Sequence, residues 1–113
     1  MMRMAIERGV TIAMGTDLGL TGLDLPGAWG TNGSELGYMV ALGMRPGQAI
    51  EAATATAPRT PGPQAPRSGV LAEDYDADLI AVDGDPLADI SRLADPDRST
   101  PVWAGGRQVK GGR

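Results

Sequence analysis

The stretch that decides the fold is Gly9-Val10-Thr11-Ile12-Ala13-Met14-Gly15-Thr16-Asp17. Its β-branched residues stand in a short, largely apolar run that lacks a regular polar alternation and stops at a Gly-Thr-Asp turn. This pattern predicts a buried parallel strand. Because α/β folds place catalytic and ligand groups just past the C-terminal ends of such strands, Asp17 is the first candidate functional residue. The alternative is that Asp17 only hydrogen-bonds within its own turn.

Length and composition restrict the class of protein. The chain has 113 residues, enough for one small domain and well short of the roughly 250 residues of a (β/α)8 barrel. A net charge of -4 argues against a nucleic-acid partner. The chain has no cysteine, no secretory leader pattern and no apolar run of membrane-spanning length, so we expect a soluble, cytoplasmic protein without a membrane partner. Its many glycines and prolines and its lack of phenylalanine predict marginal stability.

Helix signals lie on both sides of the predicted strand. The first eight residues have helical spacing and end at Gly9, a natural helix stop. Asn32 and Glu35 have the N-cap and N3 spacing of a second helix that ends at Gly43, which makes Glu35 a capping residue rather than a catalytic one. Pro46 suits the first position of a third helix, whose alanine-rich face indicates close packing.

The second half of the chain has strand and turn signals. Its prolines make residues 58–68 a linker. Short apolar runs predict strands at 70–71 and 79–82. Asp85 and Pro86 begin a brief helix that runs through Leu93. Gly105-Gly106 predicts a two-residue hairpin between strands at 102–104 and 107–109.

Other candidate functional residues have simpler explanations. Trp29 is either a pocket wall or a packing anchor in a Gly-rich loop, and Asp24 suits a solvated turn. The acidic run 73–78 begins like a calcium-binding loop, but Leu79 stands where that loop needs glycine, so we expect a solvated turn instead. The Arg- and Gly-containing carboxyl end is better explained as a hairpin with a frayed terminus than as a nucleic-acid tail.

Taken together, five motifs resemble a known family. Their order along the chain is 9–17, Glu35-Leu36, 42–50, 52–54 and 77–86. This order resembles the C-terminal portion of metal-dependent amidohydrolases, most nearly the branch of imidazolonepropionase-like and Xaa-Pro dipeptidase-like enzymes. The Pro-rich stretch after residue 57 departs from the Ala-rich helix that is usual in the family.

The resemblance implies an α/β fold. Residues 1–57 would be the C-terminal part of a (β/α)8 TIM barrel, with its last strand and helices. Residues 58–68 would be the linker, and residues 69–113 would be part of a composite β-sandwich. We therefore expect a fragment whose partner is the missing N-terminal barrel segment or a second copy of the chain.

The resemblance also implies a reaction, the hydrolysis of an amide or cyclic amide C–N bond in a small-molecule substrate by metal-activated water. Family members hold a divalent metal, zinc being the first expectation, with several histidines, a lysine and an Asp that also moves the proton. Only Asp17 matches that set, as catalytic residue and metal ligand, because the chain has no histidine. We expect the isolated chain to be inactive. The alternative is a non-catalytic scaffold or binding domain that has lost the metal site.

Overall fold

A computed structural model describes residues 1–19 and 30–111, so Asp24 and Trp29 lie outside the described residues. The fold is α/β, with a helical part followed by a three-stranded antiparallel sheet. Its α-helices and strands are α1 Met2–Glu7, α2 Ser34–Ala41, α3 Pro46–Glu51, β1 Leu79–Val82, β2 Ser99–Ala104 and β3 Arg107–Lys110. Across the described ranges, no helix is long and apolar enough to cross a membrane.

The buried core lies in the helical part. Its members within the described residues are Leu36, Met39, Ala49 and Ala52. Ala49 has no exposed surface, and its small side chain lets α2 and α3 pack closely. Side chains of Ile12 and Met14 cover the edge of this cluster, which places the stretch 10–17 against the helices.

The strand predicted at 10–17 is not formed. Within the described chain this segment pairs with no strand, and Val10 is 54% exposed rather than buried. Its backbone is held instead by helical carbonyls: the Val10 N–H donates to Ala5 and the Met14 N–H donates to Ala52, each over 3.0 Å. Because a strand exists only through a hydrogen-bonded ladder with a neighbouring strand, the apolar pattern alone cannot produce one here.

Three backbone predictions for the helix ends are confirmed. Gly9 and Gly43 follow α1 and α2 with φ of 68° and 118°, a conformation that glycine adopts without steric cost. Pro46 begins α3. Each signal depends on the backbone of a single residue, so it does not need distant partners.

The predicted Asn32 cap is wrong. The N-cap of α2 is Gly33, without a side-chain cap, because backbone carbonyls already take the donors of the first turn. The Ser34 N–H donates to Thr31 over 3.0 Å, and the Glu35 N–H donates to Asn32 over 3.2 Å.

The chain after α3 changes its winding before the prolines. A π-helix, Ala52–Thr56, continues α3. Pro58 has no N–H for the Thr54 carbonyl, and its ring would clash with that carbonyl in a regular α-helix. Short 3-10 helices, Ala57–Arg59 and Gly62–Gln64, follow. The division into two parts joined by a linker at 58–68 stays a prediction.

The hairpin is confirmed and is held by an aspartate outside it. Gly105 and Gly106 have φ of 55° and 77°, as a tight hairpin turn between β2 and β3 requires. The Gly105 N–H donates to an Asp78 carboxylate oxygen over 2.7 Å, and the Gly106 N–H donates to the Ala77 carbonyl over 3.0 Å. Asp78 therefore holds the turn against the start of β1, which the sequence reasoning missed.

Two further predictions for the second half need correction. No strand forms at 70–71, and Leu71 is 87% exposed because none of the described strands covers it. Asp85 accepts a hydrogen bond from the Leu87 N–H over 2.9 Å, but the helix predicted from this cap is only a turn. A 3-10 helix, Ile90–Leu93, follows it with its own cap, Asp89.

We expect Gly33→Ala to destabilise the chain. A Cβ at position 33 would lie 1.8 Å from the Leu93 carbonyl oxygen, so α2 must move away from the 3-10 helix. The cost should be about 1–3 kcal/mol. Gly37→Ala in the same helix is the matched control, because its Cβ meets no atom within 4 Å and alanine favours a helix by up to about 1 kcal/mol. Urea unfolding of both variants measures the difference, and equal stabilities would contradict the packing of Gly33.

Replacing Asp78 should loosen the hairpin. Asp78→Ala removes the acceptor of the Gly105 N–H, and we expect the Gly105 amide to exchange faster with solvent. Asp76→Ala is the control, because its exposed side chain makes no hydrogen bond within the described residues. Amide hydrogen exchange by NMR measures both variants, and an unchanged Gly105 rate in Asp78→Ala would contradict the assigned role.

Candidate functional site

Asp17 lies at the end of the stretch 10–17 and has an unusual backbone conformation. Its φ is 50°, in the left-handed region that aspartate tolerates better than most residues. The residue is exposed, and within the described chain its carboxylate makes no hydrogen bond or ion pair. The alternative role, a bond that closes its own turn, is therefore not seen there.

A cleft of about 390 Å³ lies between the end of this stretch and α2. It is lined by Thr16, Leu18, Thr31, Asn32, Ser34, Glu35 and Tyr38. Glu35, predicted to cap α2, faces this cleft instead. Asp17 does not line the cleft, although both of its neighbours do. The structure therefore brings Glu35 close to Thr16 and Leu18 but does not place it in one site with Asp17.

The ligand atoms of the described residues do not by themselves form a metal site. Within residues 1–19 and 30–111, no group of three or more His, Cys, Asp or Glu side chains could hold a metal ion. Catalytic zinc sites use three protein ligands, and the complete sequence has neither histidine nor cysteine.

Asp89, a carboxylate whose pKa is shifted, has a structural role. The Ser91 hydroxyl and backbone N–H donate to Asp89 over 2.6 Å and 3.1 Å, and these bonds lower the pKa of the Asp89 carboxyl. Asp89 thereby caps the short helix that begins at Ile90. The Asp-x-Ser spacing is a known turn signal, so the sequence alone could have identified this cap.

A second cavity is apolar and lies between the helices and the sheet. Its volume is about 520 Å³. On one side are Leu36, Ile50 and Ala53, and on the other are Ile80 and Val82. Lys110 is the charged residue at its wall. Such a lining favours contact with other apolar side chains rather than a role in catalysis.

A model of the amidohydrolase family matches residues 1–109. The chain belongs to the amidohydrolase family. Ochratoxinase of Aspergillus niger is 48% identical over 108 residues, which are 95% of this chain and 21% of the relative. The family that the order of the motifs predicted is therefore confirmed.

Solved structures agree with the sequence match. The crystal structure of A. niger ochratoxinase has a TM-score of 0.83 and 46% identity, over 98% of this chain and 24% of that one. A Xaa-Pro dipeptidase with bound methionine has a TM-score of 0.78 and 36% identity, over 97% and 25%. Molinate hydrolase has 0.79 and 28%, over 96% and 25%. The chain spans about a quarter of these structures.

The isolated chain should not bind zinc tightly. A single carboxylate gives too few ligands, so calorimetric titration should show no saturable site at micromolar zinc. The variant Asp17→Asn should give the same weak heats as the unchanged chain. A micromolar site that Asp17→Asn abolishes would show that this chain completes a metal site by itself.

Proposed function

We propose that this chain is the C-terminal part of a metal-dependent amidohydrolase that hydrolyses an amide or cyclic amide C–N bond. The observation that carries the proposal is the 48% identity with A. niger ochratoxinase over 95% of the chain. Residues 1–57 would supply the last strand and helices of a TIM barrel, and residues 69–113 would supply part of a small β-sandwich. The stretch 58–68 would join the two parts.

Asp17 would be the catalytic carboxylate of the complete enzyme and one of its metal ligands. A divalent metal, zinc as the first expectation, lowers the pKa of water toward about 7 when bound in such a site. Asp17 would take a proton from the attacking water and pass it to the leaving nitrogen. Its exposure and its lack of a partner within the described chain support this role, because an aspartate engaged in its own turn would be less available.

The partner of this chain would be the remaining barrel segment. Two features favour such a partner: the stretch 10–17 has no strand beside it within the described residues, and the apolar cavity between helices and sheet is open. A neighbouring strand would complete the ladder that 10–17 lacks. The substrate would be a small molecule with an amide-type bond, and the cysteine-free composition favours the cytoplasm as the compartment.

A chimera tests the proposal. The matching 108 residues of A. niger ochratoxinase are replaced by this chain, and hydrolysis of ochratoxin is measured by product formation. We expect an active chimera in which Asp17→Asn lowers kcat by a factor of about 10²–10⁴, the usual contribution of a proton-transfer group.

The control variant in the chimera is Asp76→Asn, an exposed carboxylate of the acidic turn, which should leave the rate unchanged. Circular dichroism and metal analysis establish that each chimera is folded and loaded. A folded, loaded chimera without activity would contradict the hydrolase proposal. Full activity in Asp17→Asn would contradict the role of Asp17 alone.

A further inference from the structure

Asn32 is the single asparagine of the chain and is followed by Gly33. Its side chain is exposed, and within the described residues it makes no hydrogen bond. An asparagine amide can react with the backbone nitrogen of the next residue, and glycine hinders this attack least because it has no Cβ. Gly33 is therefore the following residue that most favours attack of the backbone nitrogen on the Asn32 side chain.

The packing of α2 requires this neighbour. A Cβ at position 33 would lie 1.8 Å from the Leu93 carbonyl oxygen and 2.8 Å from its carbon, so the close approach of α2 to the 3-10 helix admits glycine only. Among the backbone hydrogen bonds of this turn, the donors are the N–H groups of Ser34, Glu35 and Leu36, and the Leu36 N–H donates to the Gly33 carbonyl over 3.3 Å. The Gly33 nitrogen, the attacking atom, is not held by any of these bonds.

We propose that Asn32 is a site of spontaneous deamidation in the folded chain. The Gly33 backbone nitrogen loses its proton and bonds to Cγ of Asn32, while the Cγ–Nδ2 bond breaks and ammonia leaves with that proton. The product is a cyclic succinimide. Water then opens the ring at either carbonyl, which gives aspartate in one case and isoaspartate in the other. No co-reactant other than water is needed.

The two products should affect the fold in opposite directions. Aspartate at position 32 adds a negative charge beside the N-terminus of α2, which the helix dipole favours. Isoaspartate adds a methylene to the main chain, so the Glu35 N–H bond to the Asn32 carbonyl and the contact of Gly33 with Leu93 cannot both persist. Residue 32 also borders the cleft beside Asp17 and the apolar cavity, so the new charge reaches both.

Asp83-Gly84 is a second dipeptide that could cyclise, but the structure restrains it. The Asp83 N–H donates to the Arg98 carbonyl over 3.2 Å, and the Arg92 guanidinium donates to the Asp83 carbonyl over 2.9 Å. The same guanidinium lies against Gly84, where a Cβ would approach it to 2.4 Å. Asp83 therefore serves as an internal comparison with little expected conversion.

Incubation of the purified chain at mildly acidic and mildly alkaline pH tests the proposal. Mass spectrometry of the peptide that spans Asn32 follows the amide-to-acid mass change, and isoaspartyl methyltransferase labelling detects isoaspartate at positions 32 and 83. We expect conversion at position 32 that is several-fold faster at alkaline pH, because the attacking nitrogen must lose its proton. Asn32→Gln is the matched control and should show little change, because glutamine must form a larger ring.

The chain unfolded in urea provides the intrinsic rate. Conversion of the folded chain at a rate comparable to the unfolded one supports the proposal. Conversion only in urea would overturn it, because the fold would then protect Asn32. Equal labelling of Asp83 and Asn32 in the folded chain would also overturn the assignment of a specific site. The measurement uses no enzyme activity of the chain, so its outcome is independent of the proposed hydrolase function.

Discussion

The hydrogen bond from the Met14 N–H to the Ala52 carbonyl links the stretch 10–17 to the helical core. It is possible because alanines at 49 and 52 leave little side chain between α3 and its neighbours. Leu36 and Met39 of α2 pack on the same alanines. The position of Asp17, three residues beyond this bond, therefore depends on the small size of the alanines at 49 and 52.

Close packing also explains why residue 33 is glycine. The helix α2, which carries Ser34, Glu35 and Tyr38 of the cleft, can approach the 3-10 helix Ile90–Leu93 only because residue 33 has no side chain. This contact joins the helical part of the chain to the segment that leads into β2. Packing requires glycine at position 33, and glycine there also favours the deamidation of Asn32. The stability of the fold and the lifetime of the Asn32 amide therefore depend on the same residue.

The features that sequence reasoning predicted correctly are those that one or two residues determine. The glycines at 9, 43 and 105–106 and the proline at 46 each require a backbone conformation that the local residue supplies. The strand at 10–17 and the cap by Asn32 failed because they depend on partners: a neighbouring strand in one case, and free backbone donors in the other.

The site shows the same division. Asp17 was selected because it ends an apolar stretch and because the order of the motifs resembles a family. The comparisons confirm the family, and the role of Asp17 stays a prediction. The role of Asp78 was not identifiable, since its partner Gly105 lies far along the chain and belongs to a turn that seemed complete in itself. A carboxylate that bonds a residue nearby in the sequence, such as Asp89 with Ser91, can be predicted from the spacing of the two residues. A carboxylate that joins distant segments cannot.

The outer strand β3 makes the tendency of the sheet to associate depend on the salt concentration. All four of its residues are exposed, and two of them, Arg107 and Lys110, are cations. If two copies met edge to edge, these like charges would be brought together, and their repulsion opposes the pairing that an open strand edge otherwise invites. Ions in solution weaken that repulsion over about 10 Å at 0.1 M. Dilute buffer, rather than concentrated salt, is therefore the medium in which this chain should remain dispersed.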